Sequence, residues 1–148
     1  MCRDLRMRRL FIVRKDLNMS PGKLAAQIGH CAEYYWLGIM TEYMSFQERT
    51  NDYILTDLTI PRDIVERYME GSVTKTILRA KNLNHLLKAK TYAEELGLEE
   101  GKDYGFVNDS CLTELTPDEG SQTCTTCFWT RPLASETAWE ISKNYHLY

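Results

Sequence analysis

Residues 10–39 read LFIVRKDLNMSPGKLAAQIGHCAEYYWLGI. Leu10, Phe11, Ile12 and Val13 are apolar without alternation and have charges on both sides, the pattern of a strand covered on both faces. Past a short loop, Ser20-Pro21-Gly22 predicts a helix start. A serine oxygen suits the N-cap, and proline suits the first helical position, where its missing N–H costs nothing. Leu24, Ala25, Ile28, Cys31, Ala32, Tyr35 and Ile39 then recur at helical spacing and give the helix one apolar face. A buried strand leading through a loop into an amphipathic helix is the opening of a layered α/β fold.

Reading outward, residues 63–69 form a short helix after Pro61, ended by Gly71. Residues 76–78 are a second strand. Asn82 or Asn84 caps a helix carrying Leu86, Leu87, Ala93 and Leu96, closed by Gly97. Residues 104–107 and 125–130 are further strands, and residues 136–144 are a last helix after Pro132. Strands alternating with helices predict an α/β fold: a three-layer α/β/α sandwich with a four-stranded mixed β-sheet and helices on both faces. With no repeat, low-complexity tract or linker, residues 1–148 are expected to form a single domain.

The chain has 148 residues, 43% hydrophobic and 26% charged, the composition of a globular protein. No apolar run approaches the roughly 20 residues needed to span a bilayer. The start is basic (Arg3, Arg6, Arg8, Arg9), but Asp4 interrupts it and the apolar stretch that follows is too short for a signal-peptide core. The cytoplasm is the expected compartment. Five cysteines, an odd number, fit free buried thiols in a reducing environment. Cys124 and Cys127 form a C-x-x-C within a strand, where positions three apart point to opposite faces. Packed thiols are expected there, not a metal or redox site.

Net charge is −3, and its distribution says more than its sign. Residues 3–23 hold seven basic residues against two acids, and residues 75–90 hold five more with no acid. Twelve of the 18 basic residues thus lie in two short stretches. They predict a local positive surface on an acidic protein.

Lys23 falls in the first helical turn, at the positive end of the macrodipole, where a cation is disfavoured. Gln27 and His30 follow at spacings that put all three on one polar stripe. A phosphate-binding P-loop is excluded, because Leu17 occupies the place of its first glycine and Leu24 follows the lysine. Ser20 and Lys23 match the S-x-x-K of serine–lysine acyl enzymes, but the companion motifs are missing and Ser20 is needed as a cap. Asp109 follows the strand 104–107. In α/β sheets, ligands collect beyond the carboxyl ends of strands. Asp109 and Lys23 are expected to converge at one edge, with residues 75–90 on the strand and helix between them.

Residues 14–30, RKDLNMSPGKLAAQIGH, resemble the opening signature of the type II peptidyl-tRNA hydrolases, R-x-D-L-x-M-x-x-G-K-x-A-A-Q-x-x-H, at every fixed position. Residues 109–114 resemble the family's D-A-G-x-T-Q, residues 126–132 its T-C-L-x-x-x-P strand, and Ile141, Ser142 and Leu147 its closing I-T-G-H-L-K-L-L. The resemblance implies hydrolysis of the ester between a peptide and the terminal ribose of tRNA, without metal or organic cofactor. It implies Lys23, Asp109 and Thr113 as the reacting set. On that reading Asp109 orients or deprotonates water, Lys23 neutralises an oxyanion or phosphate, and Thr113 holds either partner. Gln27, His30 and Thr126 would position groups, and the basic stretches, including Lys81 and Lys88, would carry the tRNA backbone. The partners expected are peptidyl-tRNA, through its backbone and terminal adenosine, and a second copy in a homodimer, with no membrane.

Two departures stand out. Cys111 replaces the family's glycine, and Glu114 its glutamine. The segments 50–63 and 116–123 are also longer than usual. A β-carbon at 111 is expected to reshape the loop that aims Asp109. A carboxylate at 114 is expected to raise the pKa of Asp109 and repel phosphate. These departures support an alternative, a non-catalytic RNA- or protein-binding module on the same scaffold.

Overall fold

A computed structural model describes residues 5–148. The elements in chain order are β1 (Met7–Arg14), α1 (Pro21–Glu42), β2 (Met44–Gln47) and β3 (Asp52–Leu55). Helix α2 (Arg62–Ile64) continues as a π-helical turn, Val65–Met69. Then come β4 (Lys75–Ala80), α3 (Leu83–Glu95), β5 (Tyr104–Asp109), β6 (Cys124–Thr130), β7 (Leu133–Ala134), α4 (Ser135–Ser142) and β8 (His146–Leu147). Arg3 and Asp4, counted in the basic start, lie outside the described residues.

The main sheet is mixed and has six strands, not four, in the order β5-β6-β1-β4-β8, with β7 paired to the start of β1. The four expected strands are its body. The two additions, β7 and β8, are two residues each, too short for any alternation pattern to announce them. β1 pairs parallel with β4 and antiparallel with β6, and β5 pairs antiparallel with β6. β1, β4 and β5 therefore run in one direction and present their carboxyl ends at one end of the sheet. β4 lies on the far side of β1 from β5, so the stretch 75–90 does not lie between Lys23 and Asp109 as expected.

Ser20 caps α1 as the sequence predicts, its hydroxyl accepting the Lys23 N–H. Asn82 caps α3, its side chain accepting the His85 N–H. Alternate residues of β1 enter different clusters. Leu10 and Ile12 pack with Leu86, Ala89 and Ala93 of α3 and with Ala138 and Ile141 of α4. Phe11 and Val13 pack with Cys31 and Tyr35 of α1. The hairpin β2–β3 was not anticipated. It lies in a sheet of its own, and its strand residues are exposed apart from a half-buried Gln47.

Two further expectations are corrected. Cys124 and Cys127 do not point to opposite faces; both are buried in the cluster that holds Phe11 and Val13. The reason is a β-bulge. Val107 pairs with Cys127 but Asn108 with Thr125, leaving Thr126 as an extra residue that reverses the alternation. The stretch 3–23 is also less of a surface than its charge implies. Arg9 is fully buried; its guanidinium donates to the carbonyls of Thr130, Ala32 and Cys31 at 2.8, 2.8 and 2.7 Å. Arg14 is buried too and paired with Asp16 and Asp118 at 2.8 and 2.6 Å. These arginines hold the molecule together and leave no cation for a ligand.

Candidate active site

Asp109 is the last residue of β5, and Lys23 lies in the first turn of α1. The loop 15–20 and the strand order bring them together. Lys23 Nζ donates to Asp109 Oδ2 at 2.7 Å and to Thr113 Oγ1 at 3.1 Å. Gln27, one turn further along α1 and 1% exposed, donates from Nε2 to the same Oδ2 at 3.1 Å. Its Oε1 accepts from Thr126 Oγ1 at 2.6 Å, which fixes the amide orientation. The bulge in β6 is what turns Thr126 toward α1. The remaining oxygen, Asp109 Oδ1, accepts the Cys111 N–H at 2.8 Å.

Burial pushes the Asp109 carboxyl upward, but the Lys23 hydrogen bond, the Cys111 N–H, the Lys23 charge and Gln27 outweigh it. The carboxyl is held below its ordinary value. Glu114, expected to raise it, does not set the direction. Glu114 is occupied elsewhere: Oε2 accepts the Ser20 N–H at 2.9 Å, and Oε1 accepts the Ser20 hydroxyl. The Ser20 side-chain and backbone hydrogen bonds hold the Glu114 carboxyl below its ordinary value.

In a capping box, a Glu at position N3 reaches back to the N-cap N–H. Here N3 is Lys23, and Glu114 supplies that carboxylate from another part of the chain. It also sets a negative charge at a helix start that has no acidic residue of its own. The lysine, disfavoured there by the dipole, is therefore paired with the Asp109 carboxylate, and the charge of Glu114 acts at the same helix start. Cys111, for its part, keeps the turn that glycine would make by adopting a left-handed backbone, φ 59°.

Lys23, His30, Asn108, Asp109 and Thr113 line an open cleft of about 360 Å³. His30 makes no hydrogen bond to the Lys23–Asp109 pair; its ring stacks on Tyr34 with centroids 6.0 Å apart. Leu112, on the same rim, is 89% exposed. The structure thus joins Lys23, Asp109, Thr113, Gln27 and Thr126 in one network and places His30 on its wall. Lys81 and Lys88 are not part of it. Lys81 lines a separate cleft, and Lys88 is exposed on α3, whose core contacts are with the other cluster. Sequence reasoning missed Glu114 as a clasp and Asp118 as the partner of Arg14. The first had a signal: a helix start with a capping serine but no acid in its first turn.

The sequence model of the family described as Peptidyl-tRNA hydrolase PTH2 matches residues 7–148. The chain belongs to this family. The resemblance drawn from residues 14–30 is borne out over nearly the whole chain. Among curated relatives, the peptidyl-tRNA hydrolase of Thermococcus onnurineus (strain NA1) is 26% identical over 119 residues, 80% of either chain. Those of Thermococcus sibiricus and Methanopyrus kandleri are each 28% identical over 117 residues, 79% of either chain. PTH2 membership fits the convergence of Lys23, Asp109 and Thr113 on one open cleft, each in a motif that resembles the family's.

Proposed function

We propose that this chain hydrolyses the ester joining a peptide to the terminal ribose of tRNA, releasing peptide and tRNA. The observation that carries the proposal is the Lys23–Asp109–Thr113–Gln27 network at the open cleft. Ester hydrolysis develops negative charge on the carbonyl oxygen, and a preorganised cation stabilises it. Lys23 has that role. It is held at 2.7 Å by Asp109, and its chain is only 14% exposed, so little reorganisation precedes the reaction. An Asp109 held below its ordinary pKa is a weak base. Its role is to aim the lysine and orient water, not to remove a proton. Thr113 fixes the ammonium from the other side, and Thr126 sets Gln27. The stacked His30–Tyr34 pair with exposed Leu112 offers an apolar wall for the terminal adenosine.

The proposal extends to a single domain over residues 1–148 with three α/β/α layers, a cytoplasmic location and a homodimer, whose assembly sedimentation would read. Both departures that supported a binding-only module leave the Lys23–Asp109 pair in place. The test is turnover of an N-blocked aminoacyl-tRNA. Lys23→Ala and Asp109→Ala are each expected to lose at least about a hundredfold in rate, the scale of a lost electrostatic or acid–base group. The double variant is expected to be scarcely worse than the worse single one. Near-normal turnover in either folded variant overturns these roles.

A further inference from the structure

A second cleft, about 320 Å³, opens at the carboxyl ends of β1 and β4 and is lined by Lys15, Arg79, Lys81, His85 and His146. Its acid, Asp16, accepts from Arg14 at both carboxylate oxygens, at 3.2 and 2.8 Å, and shares that guanidinium with Asp118. His85 is committed as well. Its Nδ1 accepts the Lys81 N–H at 3.0 Å, its Nε2 faces the Asn144 carbonyl at 3.3 Å, and its ring stacks on Tyr145. Lys15 holds its Nζ over the Tyr148 ring at 4.2 Å, which leaves Arg79 and Lys81, neither of them in an ion pair among the described residues. Arg79 sits directly opposite His146 across β4 and β8. Unneutralised cations gathered in one concavity of an acidic protein await an anion.

The geometry points to this cleft as a site for a backbone phosphate of the tRNA, apart from the ester. The inference rests on the function proposed above. The cleft lies at the same end of the sheet as Asp109. β4 is three places from β5, so at about 4.8 Å per strand the separation is roughly 14 Å. A nucleic-acid strand carries one phosphate per about 3.4 Å of helix axis. The cleft therefore meets the strand about four nucleotides in from the terminal ribose. It anchors the acceptor end, while the reacting groups see only the ester and its ribose.

The test uses the double variant Arg79→Gln/Lys81→Gln, both positions exposed, with Lys143→Gln as a control. Deacylated tRNA should bind the double variant at least tenfold more weakly, with the salt slope of its affinity reduced by about two. KM for an N-blocked aminoacyl-tRNA should rise with kcat unchanged. Turnover of the same N-blocked amino acid esterified to adenosine alone should not move. Wild-type tRNA affinity in the double variant, or equal losses on the adenosine ester, overturns the assignment. If the wild type binds tRNA through this cleft but cleaves neither ester, the hydrolase reading fails and the phosphate site stands.

Discussion

Cys111 sits at φ 59°, a left-handed conformation that costs a residue with a β-carbon about 1–2 kcal/mol. The turn it closes is held by its N–H on Asp109 Oδ1, with a weak thiol contact to the Asp109 carbonyl at 3.4 Å as a minor addition. Cys111→Gly should therefore raise stability. The net gain expected is about 0.5–1 kcal/mol once glycine's extra freedom in the unfolded chain is subtracted. Urea unfolding reads it, and a loss of stability would show that the thiol contributes more than the strain. The carboxyl that this N–H holds has a consequence for pH. Burial raises the Asp109 pKa, but the Lys23 hydrogen bond and charge, the Cys111 N–H and Gln27 reverse the sign. A folded pKa below the unfolded one means that the ion pair contributes stability above about pH 3.9 and loses it as pH falls through the lower folded value. Carboxyl NMR titration should place Asp109 below the ordinary range and move it upward in Lys23→Gln. An unchanged midpoint in that variant would mean that the ion pair is not what holds the carboxyl down.

At the scale of elements, local chemistry made much of the site legible. The cap Ser20-Pro21 fixed where α1 begins, and hence that Lys23, Gln27 and His30 share a stripe. The strand ending near 107 put Asp109 at a carboxyl end. What was not legible were pairings between distant elements. The bulge at Thr126 adds one residue to β6, and only the register with β5 reveals it. Without it, strict alternation would send Thr126 away from Gln27. Glu114 closes the capping box from a position 94 residues beyond Ser20, a contact no sequence window can contain. Read locally, its charge looked like a repulsion on Asp109; in place, it braces the helix start beneath Lys23. The hairpin was hidden for a different reason. Met44, Phe46, Tyr53 and Leu55 line one of its faces by register, yet all are exposed, so the pattern does not report a core.

Across the whole molecule, the sequence suggested that the two basic stretches formed a positive surface, and burial divides that charge in two. Arg9 and Arg14 are interior, whereas Lys15, Arg79 and Lys81 remain outside at one cleft. Arg9 joins β1 to β6 and to α1 through three carbonyls. Its guanidinium also lies over the rings of Phe11 and Tyr35, at 4.9 and 5.7 Å. Two effects oppose each other here. Burying a cation costs solvation, and that burial lowers the pKa of Arg9. Removing the side chain, however, leaves a cavity between sheet and helix and takes away charge-assisted hydrogen bonds worth about 1.5–3 kcal/mol each. For Arg9→Ala the second effect should win, with a loss of about 3–5 kcal/mol. Arg9→Met fills most of the volume without a charge to desolvate and should recover at least about half of that. Because Arg9 never meets solvent, the salt slope of tRNA binding by folded Arg9→Met should match the wild type, unlike that of Arg79→Gln/Lys81→Gln. Urea unfolding and tRNA titration across salt on the same preparations decide both points. A loss below about 1 kcal/mol in Arg9→Ala, or a reduced slope in Arg9→Met, would return Arg9 to the ligand-binding surface.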